Sequence, residues 1–232
     1  VSRARATGPA EAARAAAEAA AEIRVAEIYR EILRRAPEHD FTPTLDRVRA
    51  VCDLLGGVER AAPVIHLTGT NGKTSTARMV ERLLRGLGLR TGRFTSPHLT
   101  SVRERIAVDG EPIPATRFVE VWADVEPYVR MVDERSVAQG GPRLSFFEVF
   151  TVMAFAAFAD TPVEVVVLEV GMGGRWDATN VADGAVEVIT PVALDHERWL
   201  GHSLEEIAAE KAGIITPGST VVTAEQREAV AA

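Results

Sequence analysis

Apolar positions along the chain follow two rhythms, and the rhythms take turns. Short β-branched runs read as strands: "PVIHLTG" (63–69), "RTGRFT" (90–95), "VEVVVLEVG" (163–171), "AVEVITPVAL" (185–194) and "STVVTAE" (219–225). Between them lie helical stripes. Residues 18–36 carry Ile23, Ile28, Ile32 and Leu33 at helical spacing, with a stop at Pro37. "TPTLDRVRAVCDLLGG" predicts a second helix, capped by Thr44 and ended by Gly56-Gly57. "KTSTARMVERLLRGLG" predicts a third, with Met79, Val80, Leu83, Leu84 and Leu87 on one face. A helix is expected from Thr116 to Arg135, followed by a loose "SVAQGGPR". "SFFEVFTVMAFAAFAD" is apolar nearly all round and predicts a buried helix, and "SLEEIAAEKAGII" a capped one. Asp109-Gly110 inside "RIAVDGEPI" signals a hairpin.

Strands alternating with helices predict an α/β fold, a P-loop-type, mostly parallel sheet flanked by helices. "VEVVVLEVGMGG", continuous and β-branched, reads as its central strand. Ligands of such sheets collect at the carboxyl ends of the strands. Every chemically suggestive residue of this chain falls at such an end.

Composition narrows the function. The 232 residues are 47% hydrophobic and 25% charged, enough for a sizeable core. A formal charge of −7 argues against a nucleic-acid partner. The single cysteine, Cys52, excludes a disulfide framework and a Cys-ligated zinc site, and fits a cytoplasmic protein. No 18-residue uncharged apolar run is present, so no membrane span is expected. The expected division is an N-terminal tail with an Ala-rich helix over 1–40 and one α/β unit over 41–232.

Gly69-Thr70-Asn71-Gly72-Lys73-Thr74-Ser75 joins a strand to a helix, the setting of a phosphate cradle. Lys73 supplies a point charge and Thr74 a hydroxyl for nucleotide or Mg²⁺. The common pattern G-x-x-x-x-G-K-[ST] needs glycine at 67, where this chain has Leu67. The loop is thus a shorter variant.

Three strand ends offer ligands to a hard divalent cation: Ser96, Glu169 and the pair Asp195-His196. Each has a plainer reading. Ser96 before Pro97 can shape a turn, and Asp195 can cap a helix beside a satisfied His196. Glu169 in a buried strand needs a cation or hydrogen bonds in any case. A histidine is an unusual Mg²⁺ ligand.

The blocks "TPTLDRV", "HLTGTNGKTS", "FTSPHLTSVRERIAVDGEPI", "SFFEVFT", "LEVGMGGRWDATN", "DHERWLG" and "EKAGII" follow one another through residues 42–218. Together they resemble the Mur ligase superfamily of ATP-dependent amide-bond ligases, and within it the folylpolyglutamate synthase branch, including enzymes that double as dihydrofolate synthase. The resemblance accounts for the short loop, since that superfamily builds its cradle as G-T-N-G-K-[TSG]. It implies nucleotide contacts on Gly69 to Ser75, Mg²⁺ on Ser96, Glu169 and His196, and catalytic parts for Lys73, Lys211 and His196, the last by holding metal. It places pteridine contacts on Thr42 and Pro43, on Ser145, Phe146, Phe147 and Glu148, and on Trp176, Asp177 and Ala178. It also implies that Lys211 is carbamylated. Read from sequence alone, Lys211 is a helix lysine expected to be solvated or paired.

The implied reaction joins L-glutamate to dihydropteroate, or to folyl-(poly)glutamate, through an acyl phosphate made from ATP. A monomer is expected, with small-molecule substrates. Relatives carry a second α/β domain, expected to lie beyond this chain, whose own ATP-binding domain is expected to be incomplete at its C-terminal end. Another Mur-type ligase acting on a UDP-sugar peptide, or a nucleotide-binding module without turnover, remain the alternatives. Trp176 stands where leucine is commoner in the family, and Thr216 where lysine is frequent.

Overall fold

The computed structural model describes residues 8–37 and 43–231. In chain order the elements are α1 (Pro9–Ile32), α2 (Asp46–Leu54), β1 (Val64–Thr68), α3 (Lys73–Gly86), β2 (Thr91–Phe94), β3 (Ile106–Val108) and β4 (Glu111–Pro112). There follow α4 (Ala115–Ala138), α5 (Phe146–Asp160), β5 (Val165–Glu169), β6 (Gly184–Ile189), α6 (Glu197–Leu200), α7 (Leu204–Lys211), β7 (Thr220–Thr223) and α8 (Glu228–Ala231). The strands make one sheet in the order β4-β3-β2-β5-β1-β6-β7. β2, β5, β1, β6 and β7 pair in parallel, while β3 and β4 add an antiparallel hairpin at one edge. The hairpin turns at Asp109-Gly110, both with positive φ, as the Asp-Gly pair predicts.

Covered faces explain the strand composition. Along β5, Val166 and Leu168 point into a large core with Phe94 and the helices α1, α2, α4 and α5. Val167 points the other way, against Leu67 and Ala77, with Val80 and Leu84 of α3 alongside. With both faces covered, β5 has no polar-out positions, which is why its sequence is a continuous apolar run. α5 is buried without interruption from Phe146 to Phe155, as its all-round apolar sequence predicts. No described helix is long and apolar enough to cross a membrane.

Four helical expectations need correction. α1 starts at Pro9 and ends at Ile32; Val25, Ile28 and Ile32 face the core, whereas Ile23 and Leu33 face solvent. α4 continues to Ala138, through the start of the segment read as loose. On α3 the apolar stripe splits: Val80 and Leu84 turn inward, but Met79, Leu83 and Leu87 are exposed. Glu81 explains that rotation. It is buried, and its carboxylate accepts from Arg93 Nε of β2 at 2.6 Å and from the Gly110 amide at 3.1 Å. Facing Glu81 outward would leave the buried Arg93 guanidinium without its acidic partner, which costs more than three exposed apolar side chains. Thr44 does not stand at the N-cap of α2, which is Leu45, but its hydroxyl accepts from the Asp46 amide at 3.1 Å.

Candidate functional site

The loop between β1 and α3 is shaped by two glycines for two reasons. Gly69, at φ +142°, lies so close to the end of β6 that a Cβ would come 1.9 Å from Oγ1 of Thr190, the next residue. Gly72, at φ +84°, has open space around it and supplies the left-handed turn into α3. The first-turn amides of α3, which a helix leaves without intrahelical partners, therefore face out of the loop. Thr70 ties the loop to the segment after β6: its amide donates to Pro191 O at 3.0 Å, and its hydroxyl to Ala193 O at 3.0 Å.

Two lysines converge on one carbonyl. Lys73 Nζ donates to Gly69 O at 3.0 Å, and Lys211 Nζ, from the end of α7, donates to the same oxygen at 2.9 Å. Lys211 is 3% exposed rather than solvated. Burial first, and then the Lys73 ammonium, bring its pKa down to about 8. A pair of ammonium groups sharing one neutral acceptor is a strong local field for an anion.

Across the loop lies Glu169, the last residue of β5, 1% exposed. Sheet register sets it beside Leu67, two residues before Gly69. Its carboxylate accepts from Thr74 Oγ1 at 2.7 Å and from the Ser96 amide at 3.3 Å. Burial raises its pKa, against the Thr74 hydrogen bond, the Lys73 charge and the Ser96 amide. Ser96 itself follows β2 and precedes Pro97 across a cis peptide. Thr74, Ser96 and Glu169 thus bring hydroxyl and carboxylate oxygens together, the hard donor set that suits Mg²⁺.

His196 is placed differently. It caps the short α6 in a left-handed conformation at φ 50°, half exposed, with Nε2 3.6 Å from Asp195 Oδ2. Among the described residues no three His, Cys, Asp or Glu side chains gather into a metal centre. The oxygen donors around Glu169 fit the ion; of them Ser96 reaches the cavity on whose wall His196 stands.

That cavity holds about 400 Å³, and Lys73, Ser96, Asp195 and His196 line one part of it. Ser145, Phe147, Glu148, Trp176, Asp177 and Ala178 line another. Ser145 caps α5 and makes a capping box with Glu148. The other Glu148 oxygen pairs with Arg47 Nη2 at 2.9 Å, both side chains nearly buried. Arg47 had no signal in the sequence beyond its place in a helix. Phe146 does not join the wall: its ring lies in the core against Phe150, beneath the Arg105 guanidinium. Pro43 is exposed and off the wall, where its neighbour Thr44 takes its place. Thr42 lies outside the described residues.

No protein-family model matches the chain. The dihydrofolate synthase/folylpolyglutamate synthase of Mycobacterium tuberculosis is 55% identical to it over 186 residues, 79% of this chain and 38% of that protein. The protein of the same name from Bacillus subtilis is 39% identical over 183 residues, 78% of this chain and 42% of that protein. Among solved structures, Mycobacterium tuberculosis folylpolyglutamate synthase complexed with ADP and AMPPCP superposes with a TM-score of 0.82 at 49% identity, covering 92% of this chain and 47% of the other. Escherichia coli FolC in complex with DHPP and ADP superposes at 0.76 with 36% identity, covering 86% of this chain and 45% of the other. The chain therefore spans less than half the length of these relatives.

Proposed function

We propose, from the premise that this chain is a homologue of part of the dihydrofolate synthase/folylpolyglutamate synthase proteins, that it forms the nucleotide- and pteroate-binding part of an ATP-dependent glutamate ligase. The observation that carries the reading is the convergence of Lys73 and Lys211 on Gly69 O, facing Thr74 and Ser96 on Glu169. A polyphosphate laid over the loop meets the Lys73 ammonium and the amides of α3 at once.

In the proposed reaction a carboxylate oxygen of the pteroate, or of a folyl-glutamate tail, attacks the γ-phosphorus of ATP, and ADP leaves. The amino group of L-glutamate then attacks the acyl phosphate carbon. The tetrahedral intermediate collapses to the amide with loss of phosphate, and the amine proton goes to solvent. Lys73 neutralises charge shifting onto the γ-phosphoryl oxygens, where electrostatic stabilisation gains most. Thr74, Ser96, Glu169 and His196 would hold Mg²⁺, which when bound screens the phosphate charges from one another. Gly69 to Ser75 form the nucleotide contacts. Ser145, Phe147, Glu148, Trp176 and Asp177 form the wall that receives the pteridine.

Lys211 fits carbamylation as part of the same reading. With its pKa near 8, an appreciable fraction is neutral amine at neutral pH. That amine adds to CO₂, a C–N bond forms and a proton leaves, converting a buried cation beside Lys73 into an anion that pairs with it. We further propose a cytoplasmic monomer with an N-terminal tail and Ala-rich helix over 1–40 ahead of the ATP-binding unit over 41–232.

The test is glutamate-dependent phosphate release by the intact protein with ATP, comparing dihydropteroate, tetrahydrofolate and a UDP-muramoyl peptide. Release with either pteridine is expected. Release with the UDP substrate alone would assign a different Mur-type ligase, and release with none would leave a nucleotide binder.

A further inference from the structure

Behind the cavity wall at Asp177, four side chains from three parts of the chain stand in line, and the proposed reaction uses only the first. Asp177 Oδ1 accepts from the Thr179 amide at 3.0 Å and the Thr179 hydroxyl at 2.5 Å, and Oδ2 from the Met172 amide at 3.0 Å. Thr179 Oγ1 also lies 2.9 Å from His66 Nε2, in the middle of β1. On the far side of that ring, Nδ1 faces Glu187 Oε2 of β6 at 3.6 Å. His66, Thr179 and Glu187 are each 0% exposed. Neither His66 Nδ1 nor the Glu187 oxygens make a hydrogen bond of good geometry among the described residues, although the Gly184 backbone approaches the Glu187 carboxyl.

Counting protons fixes the direction of this line. A threonine hydroxyl has one hydrogen, and here it goes to the Asp177 carboxylate, which can only accept. Thr179 Oγ1 must then accept from His66, so Nε2 carries the ring hydrogen. Burial holds the imidazole neutral, its pKa brought down to about 3, so Nδ1 is a bare lone pair. The group facing it is the Glu187 carboxyl, which burial pushes up to about 7. Protonated, Glu187 presents an O–H toward that lone pair and the buried pair is neutral. Space for the acid comes from Gly184, where a Cβ would stand 2.2 Å from Oε1. Every donor in the line then points one way, toward Asp177.

We infer that His66, backed by Glu187 and acting through Thr179, is a positioning residue for Asp177, keeping its carboxylate an oriented acceptor on the cavity wall. This rests on the reading of that wall as the pteroate pocket. A histidine that merely fills the core would affect folding but would not distinguish one ligand from another.

The experiment uses the intact protein and measures dihydropteroate and ATP-analogue affinities by titration calorimetry. His66→Leu and Thr179→Val are expected to weaken dihydropteroate binding about tenfold, the scale of one misdirected charge-assisted hydrogen bond, with nucleotide affinity unchanged. His66→Gln and Thr179→Ser, which keep a donor at each position, are expected to restore most of that loss. Equal losses for both ligands, or no rescue, would overturn the inference. Asp177→Ala separates the two levels. If it leaves dihydropteroate binding intact, the pocket reading itself fails and takes the inference with it. If it weakens binding while His66→Leu does not, only the positioning role is lost. Nitrogen-15 NMR of the unaltered protein tests the line without any variant: a neutral His66 with hydrogen on Nε2 is expected, and hydrogen on Nδ1 would refute it.

Discussion

Glu169 and His196 look alike in sequence, each an ionisable residue beyond a β-branched run, yet the fold treats them in opposite ways. Glu169 is itself the last residue of β5, and the neighbouring strands and α3 enclose it, so both oxygens are hydrogen-bonded before any ligand arrives. His196 comes after β6 has ended, on a loop, half exposed and in a left-handed conformation. A side chain built into a central strand is aimed by the sheet. One on a loop is aimed by whatever it binds. The sealed side of the site, Glu169 with Lys73 and Lys211, is preorganised; the open side is not.

That contrast can be broken by experiment. The largest effect is expected at the sealed side: Lys73→Ala should lower nucleotide affinity by about a hundredfold, since a charge-assisted phosphate contact is lost. Isothermal titration with an ATP analogue measures it, and an unchanged affinity would sink the phosphate-cradle reading.

Comparable in size is the stability cost of Lys211. Its folded pKa of about 8 lies below the ordinary 10.5, so between those values the unfolded chain binds more protons and stability rises with pH. Below about pH 8 the full cost, on the order of 3 kcal/mol, is present. In CO₂-free buffer, where Lys211 is a free amine, Lys211→Met should therefore melt higher than the unaltered protein at pH 7, with the gap closing toward pH 10. A gap independent of pH would show that Lys211 is not held as a buried cation, as would follow if it were carbamylated throughout.

The sharpest comparison pairs Glu169→Ala with His196→Ala. Removing the Glu169 carboxylate leaves the Thr74 hydroxyl and the Ser96 amide without their acceptor, so a loss of about 1–3 kcal/mol in unfolding free energy is expected along with any loss of Mg²⁺ dependence. His196→Ala should reduce Mg²⁺ dependence while stability stays within about 0.5 kcal/mol. Denaturant melts and nucleotide titrations with and without Mg²⁺ read both. Equal destabilisation by the two variants would erase the distinction between sealed and open sides.

Much of this was legible in advance, for reasons that differ by residue. Strand, loop and helix at "HLTGTNGKTS" follow from local periodicity and turn chemistry, and the loop's short spacing carried the family resemblance. The all-apolar α5 could be read as buried because no polar face was available for solvent. Other features had no local signal. The stripe on α3 looked like one apolar face, but Glu81 turned that helix to meet Arg93 of strand β2. Arg47 on Glu148, and Lys211 on Gly69 O, join positions 101 and 142 residues apart.

The sequence by itself determined most of the elements and the loop read as a phosphate cradle, because each depends on residues within a turn or a strand of one another, and the alternation of those elements implied the parallel sheet. The tertiary structure alone decided which charges are buried together: that Lys211 is sealed beside Lys73, that Glu169 is fully hydrogen-bonded, and that His66 stands between Glu187 and Thr179. Those outcomes depend on strand order and register, with β1 set between β5 and β6. Burial then sets the cost of every charge, and no stretch of chain carries its own burial in its sequence.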